Sequence, residues 1–158
     1  MEDLIMNEFE KTNSKPSHII MLRNLRNGLF RNLNPKEVDA AYAAINSLID
    51  KQYINYEKNS DILRLTELGY AQLYKNSKSI EQIAQLILKA FERQSSKAGD
   101  MIMMNNISHN LLQKLNPVEQ DIFNDSINKL INDGLITYED SHLACLRLTE
   151  KGYEGLYN

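Results

Sequence analysis

The sequence predicts an α+β chain, mostly helical, built as two tandem copies of one small domain. Three observations lead there. First, the chain repeats itself: a shift of 82 residues lays Asp3–Lys58 on Gln85–Asp140 with 22 of 56 positions identical, and a shift of 83 lays Ile62–Lys75 on Cys145–Asn158 with nine of 14 identical. Second, apolar residues recur at spacings of three and four through most of each copy, the period of a helix. Third, YINYE with LRL, and LITYE with LRL, alternate apolar and polar residues around a polar turn and read as a hairpin. Shared composition alone does not produce so many identities, so the expected history is an internal duplication with its joint near Asn76–Ser79. The domains are then 1–78 and 79–158. Two units fall short of the three or more a solenoid needs, and each is large enough for a modest core of its own.

The elements follow in order. Each copy opens with a helix, clearest in the second, where Ile80, Ile83, Ala84, Ile87, Ala90 and Phe91 share a face and Ser79 with Gln82 can form a capping box. A short extended run follows, His18–Leu22 or Met101–Met104, and then a brief helix ending near Leu33 or Leu115. Asn34, Pro35 and Glu37, and again Asn116, Pro117 and Glu119, start the third helix: an N-cap side chain, a proline where no amide is needed and a carboxylate at the positive end of the dipole. Val38, Ala41, Ile45, Leu48 and Ile49 form its stripe in the first copy, and Phe123, Ile127, Leu130 and Ile131 in the second. The helix ends near Gln52 or Gly134. The hairpin comes next, and Thr66 or Thr149 caps a short last helix carrying Tyr70, Leu73 and Tyr74, or Tyr153, Leu156 and Tyr157.

Composition narrows the function classes. The chain has 158 residues, 42% apolar and 25% charged, with a net charge of −3. Disorder is excluded. The longest apolar stretch, Ala40–Ile45, is far too short for a membrane span, and the acidic start is unlike a signal peptide, so a cytoplasmic protein is expected. One cysteine, Cys145, and three scattered histidines provide no disulfide and no ligand spacing for zinc. His18, His109 and His142 have no neighbouring nucleophile and orienting group, so no triad forms. Neither a catalytic site nor a cofactor or metal is expected.

The carrying residues LIDKQYINYE followed by LRLTELGY, and LINDGLITYE followed by LRLTEKGY, in the order helix, short strand, helix, turn, helix, hairpin, resemble the winged helix-turn-helix superfamily over nearly the whole chain. The Leu-Thr-Glu-x-Gly ending is similar to that of many bacterial transcription regulators. The resemblance implies that each hairpin is a wing, and in DNA-binding members the third helix enters the major groove while the wing meets phosphate. Acidic tandem winged-helix subunits of bacterial condensin and of the endosomal sorting machinery are similar in architecture and act chiefly through protein contacts, so the fold alone does not choose a function.

Charge separates the copies. Residues 1–78 hold 11 basic and 10 acidic side chains, whereas residues 79–158 hold 7 and 11. Residues 11–36 contain Lys11, Lys15, Arg23, Arg26, Arg31 and Lys36 and no acid, while Arg23, Arg26, Arg31 and Lys36 correspond to Asn105, Ser108, Gln113 and Val118 in the second copy. Lys15, Arg23, Arg26, Arg31 and Lys36 are therefore the candidate nucleic-acid-binding residues, in a regulator-like protein that is not an enzyme. Against insertion of the third helix stand its expected exposed faces, Lys36, Glu37, Asp39, Ala40, Ala43, Asn46 and Ser47 in copy one, and Glu119, Asp121, Asn124, Asp125 and Asn128 in copy two. Acids there repel phosphate, and the second function class, a protein-interaction or scaffold module with a protein partner or self-association, stays open.

Other features have structural readings. Arg64 and Arg147 point outward between inward leucines and are expected to pair across the hairpin with Glu57 and Glu139 or to meet the neighbouring tyrosines. Gly69 and Gly152 read as packing or capping glycines, Cys145 as a small buried residue, and Met101, Met103 and Met104 as core filling. The small side chains of Asp39–Ile45 suit helix propensity or the close approach of another helix.

Overall fold

A computed structural model describes residues 1–140 and 142–158. The chain divides into two compact units, Met1–Lys75 and Asn76–Asn158. Unit 1 runs α1 (Glu2–Glu10), β1 (Ile19–Met21), α2 (Leu22–Asn27), a 3-10 turn (Leu29–Asn32), α3 (Pro35–Asp50), β2 (Ile54–Glu57), β3 (Ile62–Leu65) and α4 (Glu67–Leu73). Unit 2 repeats the order as α5 (Ile80–Arg93), β4 (Met101–Met103), α6 (Met104–Asn110), a 3-10 turn (Leu112–Lys114), α7 (Pro117–Asp121), α8 (Phe123–Asn132), β5 (Ile136–Glu139), β6 (Cys145–Leu148) and α9 (Glu150–Tyr157). The fold is α+β, and no described helix is long and apolar enough to cross a membrane.

Each hairpin gains a third strand. In unit 1 the order is β1-β3-β2, all antiparallel, with Ile20 opposite Leu63 and Tyr56 opposite Leu63 on the other side. Unit 2 has the order β4-β6-β5, with Ile102 and Tyr138 flanking Leu146. The inward residues of the central strand, Leu63 and Leu65 or Leu146 and Leu148, are buried against the helices. In unit 1 the core gathers Ile5, Phe9, Leu25, Ala41, Leu48 and Ile54 around them; in unit 2 it gathers Ile83, Ile87, Phe91, Ile107, Leu130 and Ile136.

The capping signals act as written. The Asn34 side chain accepts from the Glu37 amide at 3.1 Å and Glu37 accepts from the Asn34 amide at 2.8 Å; Asn116 and Glu119 make the same exchange at 3.0 and 3.1 Å, and Ser79 with Gln82 completes its own box. Thr66 and Thr149 each accept from a glycine amide at 2.9 Å, Gly69 and Gly152. Each threonine hydroxyl also donates to the carbonyls that leave the third helix, Gln52 and Tyr53 or Gly134 and Leu135. A Cβ on Gly69 would lie 2.0 Å from the Tyr53 carbonyl oxygen, and one on Gly152 2.1 Å from that of Leu135. The Thr-x-x-Gly spacing thus clamps the last helix directly onto the backbone between third helix and hairpin.

Three expectations need correction. The third helix of unit 2 is not continuous: Ile122 leaves helical geometry (φ −97°, ψ 5°) and separates α7 from α8. Bulky Ile122 and Phe123 stand where unit 1 has Ala40 and Ala41, and the Ser126 hydroxyl donates to the Ile122 carbonyl at 3.0 Å, a back-bond that bends helices. Glu119 is not on the solvent face; it is 3% exposed, and it accepts from both the backbone amide and the ammonium of Lys78 at 2.8 and 3.0 Å. Met101 and Met103 do not fill the core, because β4 turns them outward, whereas Met104 is half-buried. Cys145 is buried, and its thiol donates to the Met101 sulfur at 3.5 Å.

Candidate functional site

The basic stretch of unit 1 covers three elements. Lys15 lies in the turn before β1, Arg23 and Arg26 on α2, Arg31 in the 3-10 turn, and Lys36 in the first turn of α3, and all five are exposed. Amphipathicity explains why: Leu22 and Leu25 of α2 and Phe30 of the 3-10 turn are buried, which leaves the intervening positions outside. Arg23, Arg31 and Lys36 make no ion pair among the described residues.

Arg26 has a different task. Its Nε donates to the Tyr42 hydroxyl at 2.9 Å and its Nη1 to Asp61 Oδ2 at 3.0 Å, while the Tyr56 hydroxyl donates to Asp61 Oδ1 at 2.9 Å. One clasp therefore joins α2, α3 and both sides of the hairpin. Tyr42 also packs edge-on against Phe30, with centroids 5.7 Å apart. The hydrogen bond that Arg26 donates to Tyr42, then the Asp61 charge, raises the guanidinium above its ordinary value, and the bond to Asp61 raises the Tyr56 phenol because ionising it would set two anions side by side. Asp61 borders a small recess with Met21, Arg23 and Ser60, so an acid sits between the two arginines of α2. Sequence reasoning saw Arg26 as one cation among several and missed Tyr42 and Asp61. The signal was present, since positions 26, 42 and 61 change together, to Ser108, Asn124 and Ala144, in the second copy.

The third-helix faces are as acidic as expected, with one exception in each unit. On α3, Lys36, Asp39, Ala40, Ala43 and Asn46 are exposed and Ser47 is half-buried, while Glu37 is occupied with its cap. On α7 and α8, Asp121, Asn124, Asp125 and Asn128 are exposed, and Glu119 is inside. Burial would raise the Glu119 carboxyl, but the Lys78 amide and ammonium with the Asn116 amide outweigh it and hold the group below the usual carboxylate range.

In unit 2 the space corresponding to the clasp is an open cleft lined by Met104, Asn124, Ile127, Asn128, Ile131 and Tyr138. The hairpin arginines are occupied in both units: Arg64 donates to Glu57 at 2.6 Å and to the Ser17 carbonyl at 2.8 Å, and Arg147 donates twice to Glu139, at 2.5 and 2.9 Å, and to the Gly99 carbonyl. These bonds lower both glutamates. Among the described residues there is no cluster of histidine, cysteine and carboxylates that could hold a metal. A scan against protein-family models and a search of curated proteins find no match to this chain.

Proposed function

We propose that this is a non-enzymatic, cytoplasmic, regulator-like protein of two winged helix-turn-helix domains, descended from one by internal duplication, and that the first domain binds nucleic acid through phosphate contacts. The duplication reading is supported by the repeated element order, the matching strand registers and the two Thr-x-x-Gly clamps. One observation carries the function: a stretch of 26 residues, 11–36, without an acid exposes Arg23, Arg31 and Lys36, which make no ion pair among the described residues, and the second unit has uncharged residues at all three corresponding positions. Lys15, also exposed, is a further candidate cation, and Arg26 is exposed but committed to Asp61 and Tyr42.

The mode is backbone binding by the α2 side of the domain and not groove reading by α3, since Asp39 and the Glu37 cap would face phosphates. Four contacts, from Lys15, Arg23, Arg31 and Lys36, give a slope of about −3.6 in log K against log salt on duplex DNA, at about −0.9 each. Fluorescence anisotropy with mixed-sequence duplexes and single strands tests this. The triple exchange Arg23→Asn, Arg31→Gln, Lys36→Val should abolish binding with the fold intact, because unit 2 already carries those residues. No binding by the unaltered chain at low salt rejects the reading.

A further inference from the structure

The outer face of the unit 2 sheet carries three sulfur atoms. Met101 and Met103 are exposed on that side of β4, and β6 sets the buried Cys145 between Met103 and Glu139. Cys145 stands directly opposite Met103 in the strand register, which places their Cβ atoms about 5 Å apart on one face. Met101 is the diagonal neighbour, and its Sδ accepts from the Cys145 thiol at 3.5 Å. The trio belongs to unit 2 alone. Its counterparts in β1 and β3 are Ile19, Met21 and Ile62, so the shared frame does not require sulfur at these places.

Thiolate and thioether are the ligands that Cu(I) selects, whereas harder cations take carboxylate and carbonyl oxygen. Glu139, the carboxylate opposite Cys145, is held by Arg147 at 2.5 and 2.9 Å and is not free to complete a harder site. The geometry agrees with a soft cation. An ion about 2.3 Å from each of two sulfurs, the length of a zinc–thiolate bond, sees atoms 3.5 Å apart at an angle of about 100°. Such an angle is far from linear and calls for a third ligand, for which Met103 faces the cysteine.

Charge decides the valence. Arg147 donates to the Met101 sulfur at 3.0 Å and to Glu139, whose carboxylate balances the guanidinium. A thioether has two lone pairs, and here one meets Arg147 and the other the Cys145 thiol. A univalent cation that takes the place of the thiol proton, which passes to water, leaves the charge of the site unchanged. A divalent cation would leave an uncompensated positive charge beside Arg147.

From these observations we infer that Cys145, Met101 and Met103 form a thiolate–thioether site for a univalent soft cation of the Cu(I) class. The site is independent of nucleic-acid binding by unit 1.

The test uses the full chain, reduced and labelled at methionine methyls, with silver nitrate as a redox-stable univalent probe and with Cu(I) under a competing chelator for affinity. One equivalent of silver should shift the Met101 and Met103 methyls and leave Met21, the counterpart of Met103 flanked by isoleucines, unmoved. Zinc in the same amount should shift none of them. Met101→Ile, which installs the residue of unit 1, should weaken Cu(I) by at least the roughly tenfold that loss of an outer-shell partner costs a metal site. Cys145→Ser should weaken it further. Met101→Ile changes only an exposed side chain, so it decides the matter even where Cys145→Ser does not fold. Full Cu(I) affinity in Met101→Ile would show capture by the thiol alone and overturn the inference. So would full affinity in Cys145→Ser, an unmoved Met101 or Met103 methyl, an equal shift of Met21, or a shift of the trio by zinc.

Discussion

Between third helix and hairpin, unit 1 has a closed polar clasp and unit 2 an apolar cleft, on frames whose strand pairings and caps correspond residue by residue. The difference rests on three exposed or half-buried side chains. Exposed ion pairs contribute little, about 0 to 1 kcal/mol, so Arg26, Tyr42 and Asp61 can be exchanged together with small loss of stability. The threonine and glycine that hold the last helix against the backbone have no such freedom. The units therefore differ in surface chemistry where a difference costs little, and they share their frame where a single methyl group would collide.

The largest effect should come from that frame. Gly69→Ala and Gly152→Ala each drive a Cβ into a carbonyl oxygen at about the same distance, and each is expected to cost about 3 kcal/mol, read by native-state hydrogen exchange at the Leu63 and Leu146 amides. A cost confined to one unit breaks the correspondence on which the comparison stands.

Next comes the third-helix start, where the units share a capping box but not its surroundings. Glu119→Gln removes a buried acceptor of three hydrogen bonds and should cost about 2 kcal/mol, whereas Glu37→Gln, at an exposed cap, should stay within about 0.5 kcal/mol. The Glu119 pKa is lowered on folding, so its contribution is complete above the unfolded value of about 4.3 and fades as pH falls through the folded value. The gap between wild type and Glu119→Gln should accordingly narrow in acid, and a gap that widens there would show that the carboxyl is held neutral.

The exit of the third helix sharpens the comparison further. Gln52 has φ +61° where its counterpart Gly134 has +72°, and a side chain in the left-handed region costs about 1 kcal/mol or more. Gly134→Gln should destabilise unit 2 by about 1 kcal/mol, and Gln52→Gly should stabilise unit 1 by about 0.5 kcal/mol after the added freedom of the unfolded chain is discounted. Equal melting of Gln52→Gly and wild type would mean that other contacts of Gln52 offset the strain.

Smallest of all is the clasp itself. Arg26→Ser should leave stability close to that of the wild type, because the pair is exposed and screened, but should raise the titration midpoint of the Tyr56 phenol, whose anion loses a nearby cation, least in salt and most without it. A loss of several kcal/mol would show that the clasp is a structural requirement and not a replaceable cover.

The amino-acid sequence by itself determined the local signals: two repeats of one element order, the Asn-Pro-x-Glu helix starts, the threonine caps, the inward leucines of the hairpins and the acid-free stretch that carries the candidate cations. These are legible because caps, helical periods and strand alternation act between residues a few positions apart. The pairing of β1 with β3 and the burial of Glu119 against Lys78 were decided by the tertiary structure, which brings together residues about 40 positions apart. The same holds for the clasp and the cleft. Arg26, Tyr42 and Asp61 belong to three different elements, and no spacing along the chain announces that their side chains meet. A contact of that kind depends on how helix and hairpin pack, which is set by the whole core and not by any local run of residues.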